Sequence, residues 1–228
     1  MIPLYDDNPT TTFPFFTIAI IASCVLIFLW QLSLGNNMHA AVISLGMIPA
    51  VLFNYTHLPQ ELVSVPPAAT VFTSMFLHGG WMHLLGNMLF LWIFGNNIED
   101  AMGRTRFIIF YLLCGLAAAM AQALPNPQST LPMIGASGAI AGVLGAYLVL
   151  YPRAKVLVLI PLGFFITTWR IAAGWVLGFW FLIQLYSSLG DSSGGGVAFS
   201  AHVGGFVTGI LLVSVFKQKH IPLFAKAR

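Results

Sequence analysis

Charged residues are scarce in this chain of 228 residues: Asp, Glu, Lys and Arg make up 7% of it, while 58% is hydrophobic. Soluble domains carry charge on roughly a quarter of their residues, so this composition excludes an ordinary soluble fold. The apolar runs are instead long enough to cross the roughly 30 Å of bilayer hydrocarbon as helices. We therefore expect an integral, multi-pass membrane protein whose residues 1–228 form a single domain.

Cysteine is also rare. The two thiols, Cys24 and Cys114, lie inside apolar runs, where a cysteine usually behaves as a small hydrophobic residue. Two such positions indicate neither a disulfide framework nor a thiolate metal site. The chain has no HExxH motif, and no carboxylate accompanies its intramembrane histidines. We therefore expect neither a metal ion nor another cofactor.

Positive charge is thinly spread. The formal net charge is +3, but the nine Lys and Arg residues are scattered between apolar runs and form no basic patch. Nucleic acid is therefore not an expected partner. The cations are better explained by membrane topology, because cytoplasmic connections are enriched in Lys and Arg.

Six apolar segments are predicted to span the membrane as helices, at about 13–34, 75–94, 106–124, 135–151, 169–189 and 197–216. All nine cations lie on one side of such a bundle: Arg104, Arg106, Arg153, Lys155, Arg170, Lys217, Lys219, Lys226 and Arg228. The opposite connections, at about 35–74, 125–134 and 190–196, contain none. This pattern predicts an all-α bundle of six transmembrane helices with both termini cytoplasmic, in a bacterial inner membrane.

A further apolar stretch, Val156–Phe165, contains Pro161. As a seventh span it would place the C-terminal cations on the outer side, against the charge rule. We therefore expect it to lie along the cytoplasmic face before the fifth span.

Five polar residues are predicted to share one level in the outer half of the membrane. His78, His83 and Asn87 lie in the first turns of the second span, Ser137 at the start of the fourth, and His202 just inside the sixth. These three spans all enter from the cation-free side. Polar groups at that depth face the bundle interior or a water-filled cavity rather than lipid.

Small residues provide a reason for two of these polar groups to meet. Gly138 follows Ser137 and begins a GxxxG step, while Gly205 lies three residues after His202 on the same helical face. Packing of these two faces would bring the His202 ring beside the Ser137 hydroxyl. A serine nucleophile needs a base within hydrogen-bond reach in this way.

Acyl transfer also needs hydrogen-bond donors for the developing oxyanion. His83 and Asn87 are spaced i, i+4 on one helical face, and the backbone N–H of Ser137 is a third candidate. No Asp or Glu lies in the outer half of any predicted span. A Ser–His dyad is therefore expected, and the sequence does not identify what orients His202.

These residues together resemble the rhomboid family of intramembrane serine proteases. Gly135-Ala136-Ser137-Gly138 resembles the family's GxSG motif, and Ala201-His202-Val203-Gly204-Gly205 resembles its last-span AHxxG motif. His78, His83 and Asn87 match its HxxxxHxxxN pattern.

The resemblance implies that Ser137 is the nucleophile, His202 the general base, and His83 and Asn87 the oxyanion donors. His78 would support neighbouring side chains and water. It also implies that the substrate is a transmembrane segment of another protein, cut near the outer face beside a small residue.

The chain departs from the family in two places. Many relatives carry Trp-Arg where this chain has Ala69-Thr70. Some relatives stack a Tyr on the catalytic histidine one turn after the nucleophile, but here that residue is Ala141.

Two other classes of function remain open. Intramembrane His and Asn residues also line solute paths, so a small transporter or channel is the main alternative. It is disfavoured because the polar groups stop at one level and the two halves show no repeat. The second is a haem or metal protein that uses His78, His83 and His202 as ligands.

Overall fold

The structure, a computed structural model, describes residues 1–162, 165–190 and 197–224. Its strands and helices are β1 (Ile2–Asp6), α1 (Phe15–Ser33), α2 (Met38–Leu45), α3 (Pro49–Leu52), α4 (Pro67–Thr73), α5 (Trp81–Phe90), α6 (Asn96–Met102), α7 (Arg104–Ala123), α8 (Ser137–Leu150), β2 (Lys155–Leu162), β3 (Phe165–Ala172), α9 (Ala173–Gly190) and α10 (Phe199–Phe216). Positions 191–196 of the last predicted outer connection, and Lys226 and Arg228 of the C-terminal cationic cluster, lie outside the described residues.

The chain is mostly helical, and four helices of the described part are long and apolar enough to cross a membrane: α1, α7, α9 and α10. The apolar helix α8 is shorter, with 14 residues. A turn of wider π-helical geometry, Leu91–Gly95, joins α5 to α6 into one continuous helical path. Helices thus lie within all six segments that were predicted to span, although their ends differ by several residues.

The second predicted span begins later than expected. Residues Ser74–Phe76 form a single 3₁₀ turn, and the α-helix starts only at Trp81. The pair Gly79-Gly80 interrupts the apolar pattern, and Gly80 is extended, with φ of 167°. His78 therefore precedes the helix, and its predicted placement in the first turns of the span is wrong.

This helical path also continues further than expected, to Met102 rather than residue 94. Glu99 of α6 is 1% exposed and accepts hydrogen bonds from the backbone N–H groups of Phe16 and Thr17, at 2.9 and 2.8 Å. The carboxylate binds the unpaired donors at the N-terminus of α1, where negative charge is stabilised. The contact of Glu99 with α1 therefore stabilises α6 as part of this helical path, although the sequence alone placed these charged residues in a connection.

The bundle packs around α8, which is buried over most of its length. Its closest neighbour is α10. A Cβ added at Gly205 would lie 2.0 Å from the carbonyl oxygen of Gly138, and one at Gly209 would lie 2.0 Å from that of Gly142. Only glycine permits this approach, so the two helices touch backbone to backbone as the small-residue pattern predicted.

The chain is not all-α, which corrects the predicted fold class. β2 and β3 form an antiparallel hairpin, and β1 pairs with the other edge of β2. Val156 and Val158 of β2 are fully buried, and they share one face because side chains alternate along a strand. The described residues of the predicted cytoplasmic-face segment, 156–162 and Phe165, are therefore in β-strands, and the fifth helix begins at Ala173 rather than at residue 169.

Candidate active site

Ser137 is the first residue of α8, directly after a sharp turn at Gly135. Gly135 has φ of +118°, a conformation that disfavours any residue with a Cβ. A Cβ at this position would also lie 2.6 Å from Nε2 of His83. Two independent constraints therefore require glycine at this position. The turn places the backbone N–H of Ser137 at the N-terminus of α8, on the side of the turn where His83 lies.

The hydroxyl Oγ of Ser137 lies 2.8 Å from Nε2 of His202, which is in the first turn of α10. The close packing of Gly138 against Gly205 holds the two helix ends at this separation. His202 is 9% exposed, whereas Ser137 is only partly buried. The two side chains that the sequence predicted to meet are thus in hydrogen-bond contact, with the serine facing open space.

The other ring nitrogen of His202, Nδ1, lies 2.8 Å from Oε1 of Gln184 on α9. The indole ring of Trp180, one turn earlier on α9, lies 5.8 Å from the His202 ring, at an angle of 35° between the planes. Sequence reasoning missed both residues. Gln184 could have been found, because a side-chain amide within a mostly apolar span needs a hydrogen-bond partner inside the bundle. No comparable signal marked Trp180.

His83 and Asn87 lie on one face of α5, opposite Gly135 and Ser137. Nδ2 of Asn87 is buried without a hydrogen-bond partner among the described residues. It faces the turn, since it would lie 3.7 Å from a Cβ at Gly135. Nδ1 of His83 accepts the backbone N–H of Gly79 at 3.4 Å, which leaves Nε2 directed at the turn. The structure therefore brings two side-chain nitrogens together beside the serine.

His78 is fully buried and lies behind this face rather than in the cavity. Its backbone N–H donates to Gln31 Oε1 at 3.0 Å, and its carbonyl accepts from Gln31 Nε2 at 3.3 Å. Its ring lies 5.1 Å from the His83 ring, edge to face. It therefore contacts His83 and not Ser137.

These side chains line a cavity of about 1380 Å³. His83, Asn87, Ser137 and His202 are among its polar lining residues, and Met82, Phe90, Met133, Leu144 and Trp180 are among its apolar ones. Its size and mixed lining suit a short extended peptide that carries apolar side chains. Among the residues that the structure describes, no group of three or more His, Cys, Asp or Glu is arranged to hold a metal ion.

The fold and the site define a class: an apolar helical bundle of the membrane type that holds a hydrogen-bonded Ser–His pair in a cavity, with side-chain nitrogens of His83 and Asn87 beside it. Comparison with known proteins agrees. A family model described as the Rhomboid domain matches residues 66–219. This range includes every residue of the site except Gln31. The chain belongs to the rhomboid family.

Individual relatives extend over different parts of the chain. The mitochondrial Rhomboid protein 1 of Saccharomyces cerevisiae is 29% identical over 215 residues, which are 86% of this chain and 56% of the relative. Rhomboid protease GluP of Bacillus subtilis is 28% identical over 221 residues, 97% of this chain and 38% of the relative. RHOMBOID-like protein 5 of Arabidopsis thaliana is 34% identical over 91 residues, 40% of this chain and 29% of the relative. The chain thus spans between about a third and just over half of these proteins.

Proposed function

We propose that this protein is an intramembrane serine endopeptidase that cleaves transmembrane segments of other membrane proteins through a dyad of Ser137 and His202. The observation that carries the proposal is the contact of 2.8 Å between Ser137 Oγ and His202 Nε2 inside a cavity between apolar helices. Membership of the family that includes the protease GluP supports it.

In the proposed reaction, His202 Nε2 takes the proton of the Ser137 hydroxyl while Oγ attacks the carbonyl carbon of the scissile peptide. The resulting oxyanion is held by His83, by Nδ2 of Asn87 and by the Ser137 N–H. Asn87 is suited to this role because its Nδ2, which has no partner among the described residues, can donate to an arriving acceptor. His202 then donates its proton to the leaving amine, which departs and leaves an acyl-enzyme.

Water completes the cycle. His202 removes a proton from a water molecule that attacks the ester, and the proton returns to Ser137 as the acid product leaves. Hydrolysis below the membrane surface requires water to reach the serine. The polar cavity lining supplies such an environment in an otherwise apolar bundle.

The proposed setting is a bilayer crossed six times, with both termini cytoplasmic and the cavity open to the outer side. The charge distribution supports this orientation. The Bacillus relative, which aligns with 97% of this chain, favours a bacterial plasma membrane. The substrate would then be unwound near its outer end and cut beside a small residue.

The test is cleavage of a panel of single-span substrates by purified protein in liposomes. Ser137→Ala should leave no detectable cleavage, because the attacking oxygen is gone. Asn87→Ala should lower kcat about a hundredfold, the typical effect of removing one oxyanion donor. The control is Ser214→Ala, on the same helix as His202 but exposed and outside the cavity, and it should cleave normally. Wild-type rates in Ser137→Ala would overturn the proposal.

A further inference from the structure

We infer that Gln184 is a positioning residue: its side-chain oxygen orients the His202 ring and selects the tautomer in which Nε2 can accept the Ser137 proton. This inference rests on the proposed function. It answers a question that the sequence leaves open, since no Asp or Glu lies in the outer half of any predicted span and the chain carries Ala141 where some relatives have a stacking Tyr.

Both ring nitrogens of His202 make a polar contact. Nε2 lies 2.8 Å from Ser137 Oγ, and Nδ1 lies 2.8 Å from Gln184 Oε1. A neutral imidazole carries one proton. Because an amide oxygen only accepts hydrogen bonds, Nδ1 must carry that proton, and Nε2 is left with its lone pair toward the serine hydroxyl. With Gln184 Oε1 in this position, the opposite tautomer would place two acceptors against each other at Nδ1, and it would leave Nε2 without the lone pair that takes the serine proton.

The position of Gln184 in α9 supports a specific role for its side chain. Gln184 is 8% exposed, whereas its helix neighbours Tyr186 and Leu189 are more than 80% exposed on the outer surface of the bundle. A buried amide without a partner costs free energy, so this residue is tolerated where it is hydrogen-bonded. The hydrogen bond that the structure gives it is the one to the catalytic ring.

Trp180 holds the same ring from a second direction. It lies one turn before Gln184, so α9 presents both side chains on one face. Its indole packs on His202 at 5.8 Å and on Phe206 at 6.0 Å between ring centroids. An aromatic ring from α9 thus contacts the histidine in a chain whose residue 141 is alanine. The amide fixes the rotation of the imidazole in its plane, and the indole supports its face.

Gln184 differs from the Asp of a catalytic triad because it brings no charge. Among the described residues that line the cavity, His83 and His202 are the titratable side chains, so no carboxylate faces the ring. A glutamate at position 184 would keep the acceptor and add a negative charge beside the ring. This makes the role testable by a change in pH dependence rather than by loss of activity alone.

The first measurement is the steady-state kinetics of Gln184→Met, which keeps the length and approximate volume of the side chain but removes the acceptor. We expect kcat to fall about tenfold to a hundredfold with KM nearly unchanged, because an unpaired buried Nδ1–H favours the wrong tautomer. Leu185→Met is the matched control, since it places the same side chain at the next, exposed position of α9. It should retain full activity.

The second measurement is the pH profile of kcat/KM for Gln184→Glu. The carboxylate should preserve most of the activity at its optimum, unlike methionine. It should also move the acid limb of the profile to higher pH by about one unit or more, because it stabilises the protonated ring. If Gln184 only packed α9 against α10, glutamate would not restore the activity that methionine loses, and the acid limb of the pH profile would not move.

A third measurement needs no variant at position 184. The ¹⁵N spectrum of histidine-labelled wild type, with the His202 signals identified from His202→Phe, should report a proton on Nδ1 and none on Nε2 at neutral pH. A proton on Nε2 would overturn the inference even if the variants failed to fold. So would a wild-type kcat in Gln184→Met, or an unshifted acid limb in Gln184→Glu.

Failure of the inference can be distinguished from failure of the proposed function by including Ser137→Ala in every assay. If wild type cleaves and Ser137→Ala does not, the protease is established and the position 184 variants decide the role of Gln184. If Ser137→Ala cleaves like wild type, the proposed function fails and the inference falls with it.

Discussion

At the scale of single residues, polar side chains inside the apolar bundle need hydrogen-bond partners, and several of them have one. Gln31 binds the backbone of His78, Glu99 binds the N-terminus of α1, and Gln184 binds His202. Some buried polar atoms lack a partner among the described residues, and of these Nδ2 of Asn87 is the one that lines the cavity. An unpaired donor beside the serine is what a site prepared for a transient oxyanion requires.

Asp6 of β1 gives a pH-dependent test at this scale. Tyr147 donates its hydroxyl proton to Oδ2 of Asp6 at 2.5 Å, and burial raises the pKa of Asp6 from 3.8 to about 6. The folded state therefore favours the protonated carboxyl. Its stabilising contribution is present below about pH 4 and is lost as the pH rises through 6, by roughly 2 to 3 kcal/mol.

The measurement is thermal unfolding of wild type and Asp6→Asn in detergent between pH 4 and pH 7.5. The asparagine stays neutral, so the variant should gain stability relative to wild type as the pH rises and differ little at pH 4. A difference in Tm that is constant across this range would show that the carboxyl is not held in its neutral form.

At the scale of elements, the site depends on how closely α10 approaches α8. Gly138, the residue after Ser137, is in backbone contact with Gly205, which lies about one turn after His202. Any increase in helix separation therefore moves His202 away from Ser137. The distance from Ser137 Oγ to His202 Nε2 is 2.8 Å, and a hydrogen bond weakens when its donor–acceptor distance grows by more than a few tenths of an ångström. Glycine packing is thus a precondition of the geometry and not only of stability.

Gly205→Ala tests this dependence. Its Cβ would lie 2.0 Å from the Gly138 oxygen, which forces the helices apart and should destabilise the protein by about 1–3 kcal/mol. Cleavage should fall more than the folded fraction does. Gly178→Ala in α9 is the control, because its Cβ meets nothing within 4 Å. It should leave Tm unchanged or slightly raised, and equal effects of the two variants on Tm and cleavage would refute the argument.

At the scale of the whole molecule, the sheet ties the start of the chain to the segment between α8 and α9. β1 pairs with β2 from Ile2 to Asp6, and Asp6 also contacts Tyr147 of α8. The hairpin carries Lys155 and Arg170, two of the cations that the charge rule assigns to the cytoplasm. The proposed topology therefore places the sheet on the cytoplasmic side, opposite the mouth of the cavity.

Accessibility of single cysteines tests that topology. The native Cys24 and Cys114 are fully buried and give little background. In intact bacterial cells, a membrane-impermeant maleimide should label Asn36→Cys, which is exposed after α1. It should label Lys219→Cys, exposed after α10, only once the membrane is opened. Labelling of Lys219→Cys in intact cells would reverse the proposed orientation.

The sequence by itself determined the class of the molecule and its helical segments, because apolar periodicity and charge placement act locally along the chain. It also predicted the contact between Ser137 and His202, since the small residues of α8 and α10 permit only one close face on each helix. His83 and Asn87 followed from their i, i+4 spacing. Their catalytic roles stay predictions that the assays above address.

Tertiary structure alone decided the rest. Gln184 and Trp180 became partners of His202 only when α9 packed beside α10, and no motif connects residues 18 positions apart on different helices. In the sequence, β2 is an apolar stretch that contains Pro161, and nothing local predicts a strand. The structure pairs β2 with β1, which lies about 150 residues earlier in the chain. His78 lies outside the helix because Gly79-Gly80 interrupts it and Gln31 holds its backbone. The Gly79-Gly80 break is local, but the contacts of Gln184 with His202, β1 with β2 and Gln31 with His78 join separate segments of the chain, which a local pattern does not encode.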